Sequence, residues 1–516
     1  MPAPRSPVFT TPSASSVVLS PGGCPGLFCP TLAQDGVLTR IRVPGGVLTA
    51  AQGRVVTEIS DRLQGSLEIT NRANFQIRGL QQTMPLELLR QLQLAGLAAP
   101  TPEVDHLRNI MASPTAGIDP KQLVDTRPLV GALNAGLSRQ LHLASLSAKF
   151  SIGIDGGEQT TIARQPNDLV VSAFAPSTDP SNSEMRFAVQ FRGVSLPKTP
   201  FLQYEQCQPF IMAIAQVYLE KSLENPQHFS RAKPRLREVL NFMGVERFLG
   251  ELQQRLSFSW QLCTPNQLPQ QDSSFHHLGV HPQRQSGLYY VGIALPLGRL
   301  NPGQLQQLCT LSESYGSGTL RLTPWRNLIL SDIAEQNLPA VQKAIAQLGL
   351  DSNSNSIWGG LIACSGSTGC ASSATDTQAD ARAIAQAITQ NLDFDLELDL
   401  KQPITLHLSG CSKSCAHHQD SDITLVGIQA EGKTAYRLFV GDRQPLSAER
   451  SDQPLSFGKL LTSDLTPEEV PNQILKLLKI YRQRRNSAQS FRAFVNDGAI
   501  TQLRDWMILS ERSTHA

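Results

Sequence analysis

Two stretches decide the fold: Gly65-Ser-Leu-Glu-Ile-Thr-Asn-Arg-Ala-Asn74 and Gly318-Thr-Leu-Arg-Leu-Thr-Pro-Trp-Arg-Asn327. They lie about 250 residues apart and share Gly, Leu, Thr and Asn in the same order. A second pair precedes them at almost the same separation: Pro44-Gly-Gly-Val-Leu-Thr-Ala-Ala-Gln52 and Pro296-Leu-Gly-Arg-Leu-Asn-Pro-Gly-Gln304. Ordered pairs at one spacing read as an internal duplication. Each copy also makes local physical sense. Leu38 to Val43 alternates like a strand, and Thr49 stands three before Gln52, a capping-box spacing. Asn301 is a good N-cap with Pro302 at the first helical position. Short alternating strands follow at Leu67 to Thr70 and Leu320 to Thr323. The reading is a β-α-β half-unit used twice, whose copies pair into one small domain.

The segments after each copy are mixed α/β. Pro85 to Leu97 reads as an amphipathic helix and Gln378 to Gln390 as an Ala-rich one. Ile404 to Leu408 and Ile423 to Val426 read as strands, and Phe174 to Ser183 as a polar surface loop. Pro467 to Arg485 reads as a helix whose basic last turn suits the helix dipole and faces solvent. Of the 516 residues, 40% are apolar and 17% charged, so the chain is globular and can bury several cores. The 45 basic and 43 acidic residues nearly cancel, which argues against a global field for nucleic acid or an anionic membrane. No apolar run is long enough to span a bilayer. Met1 to Gly23 has no sustained apolar core and reads as a tail rather than a secretory signal. Nine cysteines, an odd number without such a signal, point to reduced thiols and a cytoplasmic setting.

Four of those cysteines form two tight pairs. Cys364 and Cys370 enclose five residues, and Cys411 and Cys415 enclose three, in loops rich in Gly and Ser. Such loops let the backbone approach a bulky inorganic core and aim N–H groups at its sulfur. A [4Fe–4S] cluster fits this best, with all four thiols converging. A four-thiolate zinc site, two disulfides and buried spectator thiols are the alternatives. Cys207, Cys263 and Cys309 read as packing residues, while Cys24 and Cys29 leave a second metal pair open.

The cysteine spacing resembles the cluster signature of the sulfite/nitrite reductase superfamily. Leu38-Thr-Arg-Ile-Arg-Val-Pro-Gly-Gly46, Ile69 to Gly79, Arg108-Asn-Ile110 and Leu146-Ser-Ala-Lys-Phe150 resemble its tetrapyrrole and anion contacts, as does Ile423 to Gly427 with Tyr436 to Gly441. Within it, Cys24-Pro-Gly-Leu-Phe28, Ala112 to Pro120, Lys149 to Gly157 and Ser409-Gly-Cys-Ser-Lys-Ser-Cys-Ala-His417 look like the precorrin-3B synthase family. That resemblance implies a monooxygenase of cobalamin biosynthesis, which hydroxylates precorrin-3A with dioxygen and forms a lactone. The runner-up is a siroheme-dependent sulfite or nitrite reductase; a carrier and a zinc-stabilised binding module are further alternatives. Ser151 stands where sulfite reductases place a second lysine, so the anion pocket is expected to lack one cation. His417 and His418 stand where those enzymes carry an arginine or similar residue.

The resemblance implies an α+β fold of duplicated architecture, with two ferredoxin-like half-domains pairing and two mixed α/β cofactor domains. The expected boundaries are a disordered tail over 1–20, half-domains at 21–82 and 271–340, a tetrapyrrole and anion domain at 83–270, and a cluster domain at 341–516. Cys364, Cys370, Cys411 and Cys415 would hold the cluster. Arg40, Arg42, Arg72, Arg78 and Asn327 would contact the tetrapyrrole, with Arg326 beside Asn327. Arg108, Lys149 and His417 would act in catalysis, and Asp155 reads equally as an acid–base group or a turn residue. Siroheme or a mononuclear non-haem iron is the further cofactor. The expected partners are a small tetrapyrrole substrate, O2 and an electron donor, with neither nucleic acid nor membrane.

Overall fold

The structure is a computed structural model that describes residues 24–175, 185–194, 197–264, 275–391, 404–442, 457–486 and 489–512. The tail expected over 1–20 and most of the loop expected at Phe174 to Ser183 lie outside the described residues. The chain forms two compact units, one built mainly from Val37–Ile293 and Arg299–Ser352, the other mainly from the residues after Asn353.

In the first unit the duplication is visible bond by bond. Thr49 and Gln52 form a capping box on the helix Ala50–Arg62, and Asn301 and Gln304 form one on Pro302–Tyr315. The Gln52 amide also donates to Ala95 O at 2.8 Å, and the Gln304 amide to Leu348 O at 2.9 Å. Each thus fixes the helix that follows its copy, Leu86–Leu94 or Leu338–Gln347. The turn Thr70–Asn74 closes with Thr70 N–H donating to Asn74 O at 2.8 Å, and Thr323 N–H donates likewise to Asn327 O at 3.0 Å. Ala73 (φ 53°) and Arg326 (φ 66°) occupy the same left-handed position in the two turns.

Each copy has more strands than the β-α-β reading suggests, a return strand among them. Phe75–Leu80 pairs antiparallel with Ser66–Ile69, and Leu328–Ala334 pairs with Thr319–Leu322. The hairpins escape sequence reading because alanine and arginine, not glycine or asparagine, take the positive φ. The copies then exchange short strands. Val47–Thr49 pairs with Thr319–Leu322 of the second copy, and Arg299–Leu300 pairs with Ser66–Ile69 of the first. Their helices pack closely: a Cβ at Gly53 would stand 2.5 Å from Cys309 Sγ.

The mixed regions are duplicated as well. In the first unit Ile110–Ala112, Ile152–Asp155 and Leu169–Phe174 run parallel, followed by antiparallel Arg186–Phe191 and Thr199–Leu202. In the second, Leu361–Ala363, Leu406–Ser409 and Ile423–Ala430 run parallel, followed by antiparallel Lys433–Val440 and Lys459–Leu465. In sheets of this kind, sites gather in the loops at the carboxyl ends of parallel strands.

In the first unit those loops are filled by their own carboxylates. Asp119 Oδ2 accepts from Thr115 Oγ1 at 2.9 Å and from Gln159 N–H at 3.0 Å. Asp155 accepts from Gly157 N–H at 3.0 Å, and from Thr161 Oγ1 and Ile162 N–H at 2.7 Å each. Its role is to close the turn. Glu158 is buried beside it, and burial, then the charge of Asp155, pushes its carboxyl well above the usual range. The Glu158 Oε2 accepts from Gly156 N–H at 2.7 Å. No helix among the described residues is long and apolar enough to cross a membrane.

Two outcomes follow from this packing. Gly53→Ala overpacks the contact with Cys309 and is expected to destabilise the protein by about 1–3 kcal/mol. Urea denaturation would show it as a lower midpoint at unchanged slope; an unchanged midpoint would mean that the helices yield freely there. Glu158 gives a pH signature. Its folded carboxyl keeps a proton that the unfolded one loses near pH ~4.3, so stability falls as pH rises above that value. Glu158→Gln removes this loss and should gain on the wild type between about pH 5 and 8, converging with it in acid. A difference independent of pH would mean that Glu158 is ionised in the fold.

Candidate functional site

The thiol loops of the second unit occupy the positions that carboxylates fill in the first. Cys364 follows the strand Leu361–Ala363 and Cys411 follows its parallel neighbour Leu406–Ser409, so their loops lie side by side. Cys364 N–H donates to Leu408 O at 3.1 Å, and Ala374 N–H to Gly410 O at 2.7 Å. Ser373 N–H reaches Cys370 O at 3.0 Å. Close approach needs glycine here: a Cβ at Gly427 would fall 2.6 Å from Thr375 Oγ1. Ser414, buried at φ 52°, turns the chain between Cys411 and Cys415.

All nine cysteines are free thiols. Desolvation raises the Cys415 thiol, and Cys411, Cys364 and Cys370 each add to that rise, so the four sulfurs share one electrostatic neighbourhood. Cys415 is nevertheless exposed as a residue, so the desolvation comes from the loop around its sulfur. Among the described residues no three His, Cys, Asp or Glu side chains are arranged to hold a single metal ion. Thiols in Gly/Ser loops that all act electrostatically on Cys415 suit an inorganic core held between the two loops. His417 lies two residues beyond Cys415, its ring 5.6 Å from that of buried His407.

The arginines expected at the site fall into two groups. Arg42 and Arg108 are buried on one carboxylate: Arg42 Nη1 stands 3.4 Å from Asp105 Oδ2, and Arg108 Nη1 stands 3.5 Å from Asp105 Oδ1. Arg108 Nη2 also donates to Gly96 O at 2.7 Å. Arg78 is buried with Glu68, whose carboxyl burial would raise; Arg299, Arg326 and Arg78 together hold it below the usual range. Arg40 and Arg72 form the second group. Arg40 Nη2 donates to Gln76 Oε1 at 3.1 Å, its Nη1 stands 3.8 Å from Cys24 Sγ, and its Nε has no partner. Arg72 donates to Asn167 Oδ1 at 2.9 Å and to Pro166 O at 2.7 Å. Burial pushes it down to about 10, opposed by Asp168, so it is still a cation at neutral pH. Arg40 and Cys24 both act on Arg72 electrostatically, which puts the three together.

The remaining expected residues are placed as follows. Lys149 is exposed. Asn327 is buried and its backbone N–H takes Thr323 Oγ1 at 3.1 Å, closing the second turn. Arg326 donates from Nε to Ile69 O at 3.2 Å, tying the two copies. Turn for turn, the counterpart of Arg72 is Trp325, which stacks on buried His277 at 4.3 Å.

Ser151, the residue expected to leave an anion pocket one cation short, is bound to a neighbouring carboxylate. Ser151 is buried, and its N–H and Oγ both donate to Asp168 Oδ2, at 3.1 and 3.0 Å. Asp168 Oδ1 in turn takes Arg235 Nε and Nη2 at 3.1 and 2.6 Å. Sequence reasoning missed Asp168, Arg235 and Asn167. Arg235 carries no motif, and Asn167-Asp168 gives only the polar residues that precede many strands.

Residues 32–94 and 281–348 match the nitrite/sulfite reductase ferredoxin-like half domain, and residues 103–259 and 359–515 match the nitrite and sulphite reductase 4Fe-4S domain. The ferredoxin–nitrite reductase of Synechococcus elongatus is 30% identical over 461 residues, covering 84% of this chain and 88% of that protein. The chloroplastic ferredoxin–nitrite reductase of Spinacia oleracea is 27% identical over 428 residues, covering 79% and 70%. The NirA protein of Mycobacterium tuberculosis shares the fold, with a TM-score of 0.74 at 23% identity over 91% of this chain and 85% of that one.

These findings bear out the duplicated α+β architecture and the [4Fe–4S] cluster with siroheme as its companion. They overturn the reading as a precorrin-3B synthase: the relatives that span most of the chain are nitrite reductases, so the oxygen-using monooxygenase and its place in cobalamin biosynthesis are withdrawn. With both domain types matched twice and in alternation along the chain, it belongs to the nitrite/sulphite reductase family.

Proposed function

We infer that this protein is a siroheme-dependent reductase of nitrite that draws electrons from a ferredoxin. What carries the reading is the similarity to the Synechococcus elongatus ferredoxin–nitrite reductase, which runs over 88% of that protein. The gathered thiols support it independently, since Cys415 feels Cys411, Cys364 and Cys370 together. These four would hold the [4Fe–4S] cluster. The cluster and siroheme supply one-electron redox chemistry and an iron at which a small anion is reduced.

The chain's own residues bind and orient. Arg40 and Arg72 would take the carboxylates of the tetrapyrrole, because a guanidinium presents a flat fork that matches a carboxylate in two points. Asn167 and Pro166 O hold the Arg72 fork from behind, and a guanidinium has five N–H donors, so donors are left over. Lys149, exposed, would meet the small anion as a point charge. Arg42, Arg78 and Arg108 would act from further back, by fixing the strands and the Asp105 turn that carry the others. His417, next to the last thiol loop, would donate to a carboxylate or to the anion.

The test is reduction of nitrite by the purified holoprotein with reduced ferredoxin or a reduced viologen, alongside sulfite at equal concentration. Nitrite turnover well above sulfite turnover is expected. Cys370→Ser should lose acid-labile sulfide and activity together, whereas Arg72→Ala should keep the cluster and lose bound siroheme. A protein that loads both groups yet turns over neither anion would sink the proposal. Faster turnover of sulfite would move the assignment to sulfite reductase.

A further inference from the structure

The helix Thr377–Asn391 begins at a buried threonine beside Cys364. The Thr377 hydroxyl stands 2.9 Å from Cys364 O and 3.4 Å from Cys364 Sγ. One hydroxyl has one proton, so it serves one of these acceptors at a time. The carbonyl has a second donor: Gln378 Nε2 reaches Cys364 O at 2.6 Å. The sulfur already accepts from Gly410 N–H at 3.2 Å.

This redundancy matters when the sulfur changes state. As a thiol, Cys364 can donate its S–H to Thr377 Oγ1, which donates its own O–H to the carbonyl. As a ligated thiolate it has no proton and only accepts. The Thr377 proton is then free to turn from carbonyl to sulfur, and Gln378 keeps the carbonyl satisfied. The position is held by close packing. Gly366 has φ +68°, and a Cβ there would stand 3.0 Å from Thr377 N and 3.2 Å from Thr377 Oγ1. Ser367 N–H donates to Thr375 O at 2.8 Å, pinning the loop to the helix start.

We propose that Thr377 is a second hydrogen-bond donor to the Cys364 thiolate and sets the reduction potential of the cluster that thiolate holds. The inference rests on the four-cysteine cluster proposed above. Reduction adds negative charge that the ligand sulfurs share, so a donor to sulfur favours the reduced form and raises the potential. Gln378 contributes indirectly, by releasing the Thr377 proton from the carbonyl.

The experiment is a redox titration of holoprotein followed by the electron paramagnetic resonance of the reduced cluster, with iron and acid-labile sulfide measured on each sample. Thr377→Val is expected to shift the oxidised-to-reduced ratio at a fixed potential about tenfold towards oxidised, a fall of about 59 mV for one electron. Thr377→Ser should titrate like the wild type. Gln378→Met leaves the sulfur untouched but recaptures the Thr377 proton on the carbonyl, so its potential should also fall. That variant decides the matter if Thr377→Val does not load. Loaded variants that all titrate at the wild-type potential would overturn the role of Thr377 and leave the cluster standing. Wild-type protein reconstituted without acid-labile sulfide would overturn the cluster itself, and this inference with it.

Discussion

The first unit depends on one exchange. Each half-domain sheet ends in an unpaired edge, and each copy lends the other a short strand to close it: Val47–Thr49 onto Thr319–Leu322, and Arg299–Leu300 onto Ser66–Ile69. An open edge exposes a row of unmet N–H and C=O groups, so neither half is complete alone. The exchange also carries charge. Arg299 on the lent strand stands 2.6 Å from Glu68 on the receiving one. Without it a buried carboxylate would lose one of its three cations, leaving Arg326 and Arg78 to hold its charge. The turn that carries Arg72 begins one residue beyond that strand, so its placement follows from the pairing of the halves.

The two mixed regions show how one topology serves two chemistries. At the carboxyl ends of adjacent parallel strands, backbone N–H groups face into loops and need acceptors. In the first unit Asp119, Asp155 and Glu158 supply them, and the loops are closed by their own side chains. In the second unit the loop residues are small, Gly410 N–H points at the Cys364 sulfur, and Cys364, Cys370, Cys411 and Cys415 take the place of the carboxylates. A carboxylate is satisfied by a few N–H groups, whereas thiolates around an inorganic core leave room for one and keep donors aimed at it.

The fold was largely legible because duplication turns weak local signals into strong ones. The capping boxes at Thr49 and Asn301, the helices near Leu86 and Gln378, and the paired cysteines all followed from spacing. The return strands Phe75–Leu80 and Leu328–Ala334 did not, because their turns lack the residues that usually announce a hairpin. The basic end of the helix Val470–Arg484 is solvated surface as its charge suggests, with Arg482 and Arg484 exposed, yet Arg484 also lies over the Trp506 ring and Arg485 over Tyr481. Long cationic side chains cover aromatic faces in ways that a charge count does not reveal. At the candidate site, resemblance named the arginines but not their partners. Asp105 and Asp168 come from segments whose pairing depends on tertiary structure, so no local pattern showed that Arg42 and Arg108 share a carboxylate or that Ser151 serves Asp168. The branch within the family is not legible locally for a related reason: short motifs such as Cys24-Pro-Gly do not separate its branches, whereas similarity spread over the whole chain does.

The distribution of charge finally separates the arginines that hold the fold from those left for a ligand. Arg42 and Arg108 share Asp105, Arg299 and Arg78 serve Glu68, and Arg235 serves Asp168. Each is a desolvated cation with a carboxylate at hand. Arg40 and Arg72 are desolvated as well, yet their hydrogen-bond acceptors are the neutral oxygens of Gln76, Asn167 and Pro166. Neutral acceptors offset part of the lost hydration of a guanidinium, while the opposite charge comes from further off, from Asp168 for Arg72 and from Glu68 for Arg40. Two such cations lie side by side, with a thiol rather than a carboxylate as the near neighbour. An arrangement of that kind costs stability in the empty protein and is recovered when an anion arrives. The tetrapyrrole carboxylates are the anions that would relieve it, and they would complete the pairing that the fold has already supplied for every other arginine of the group.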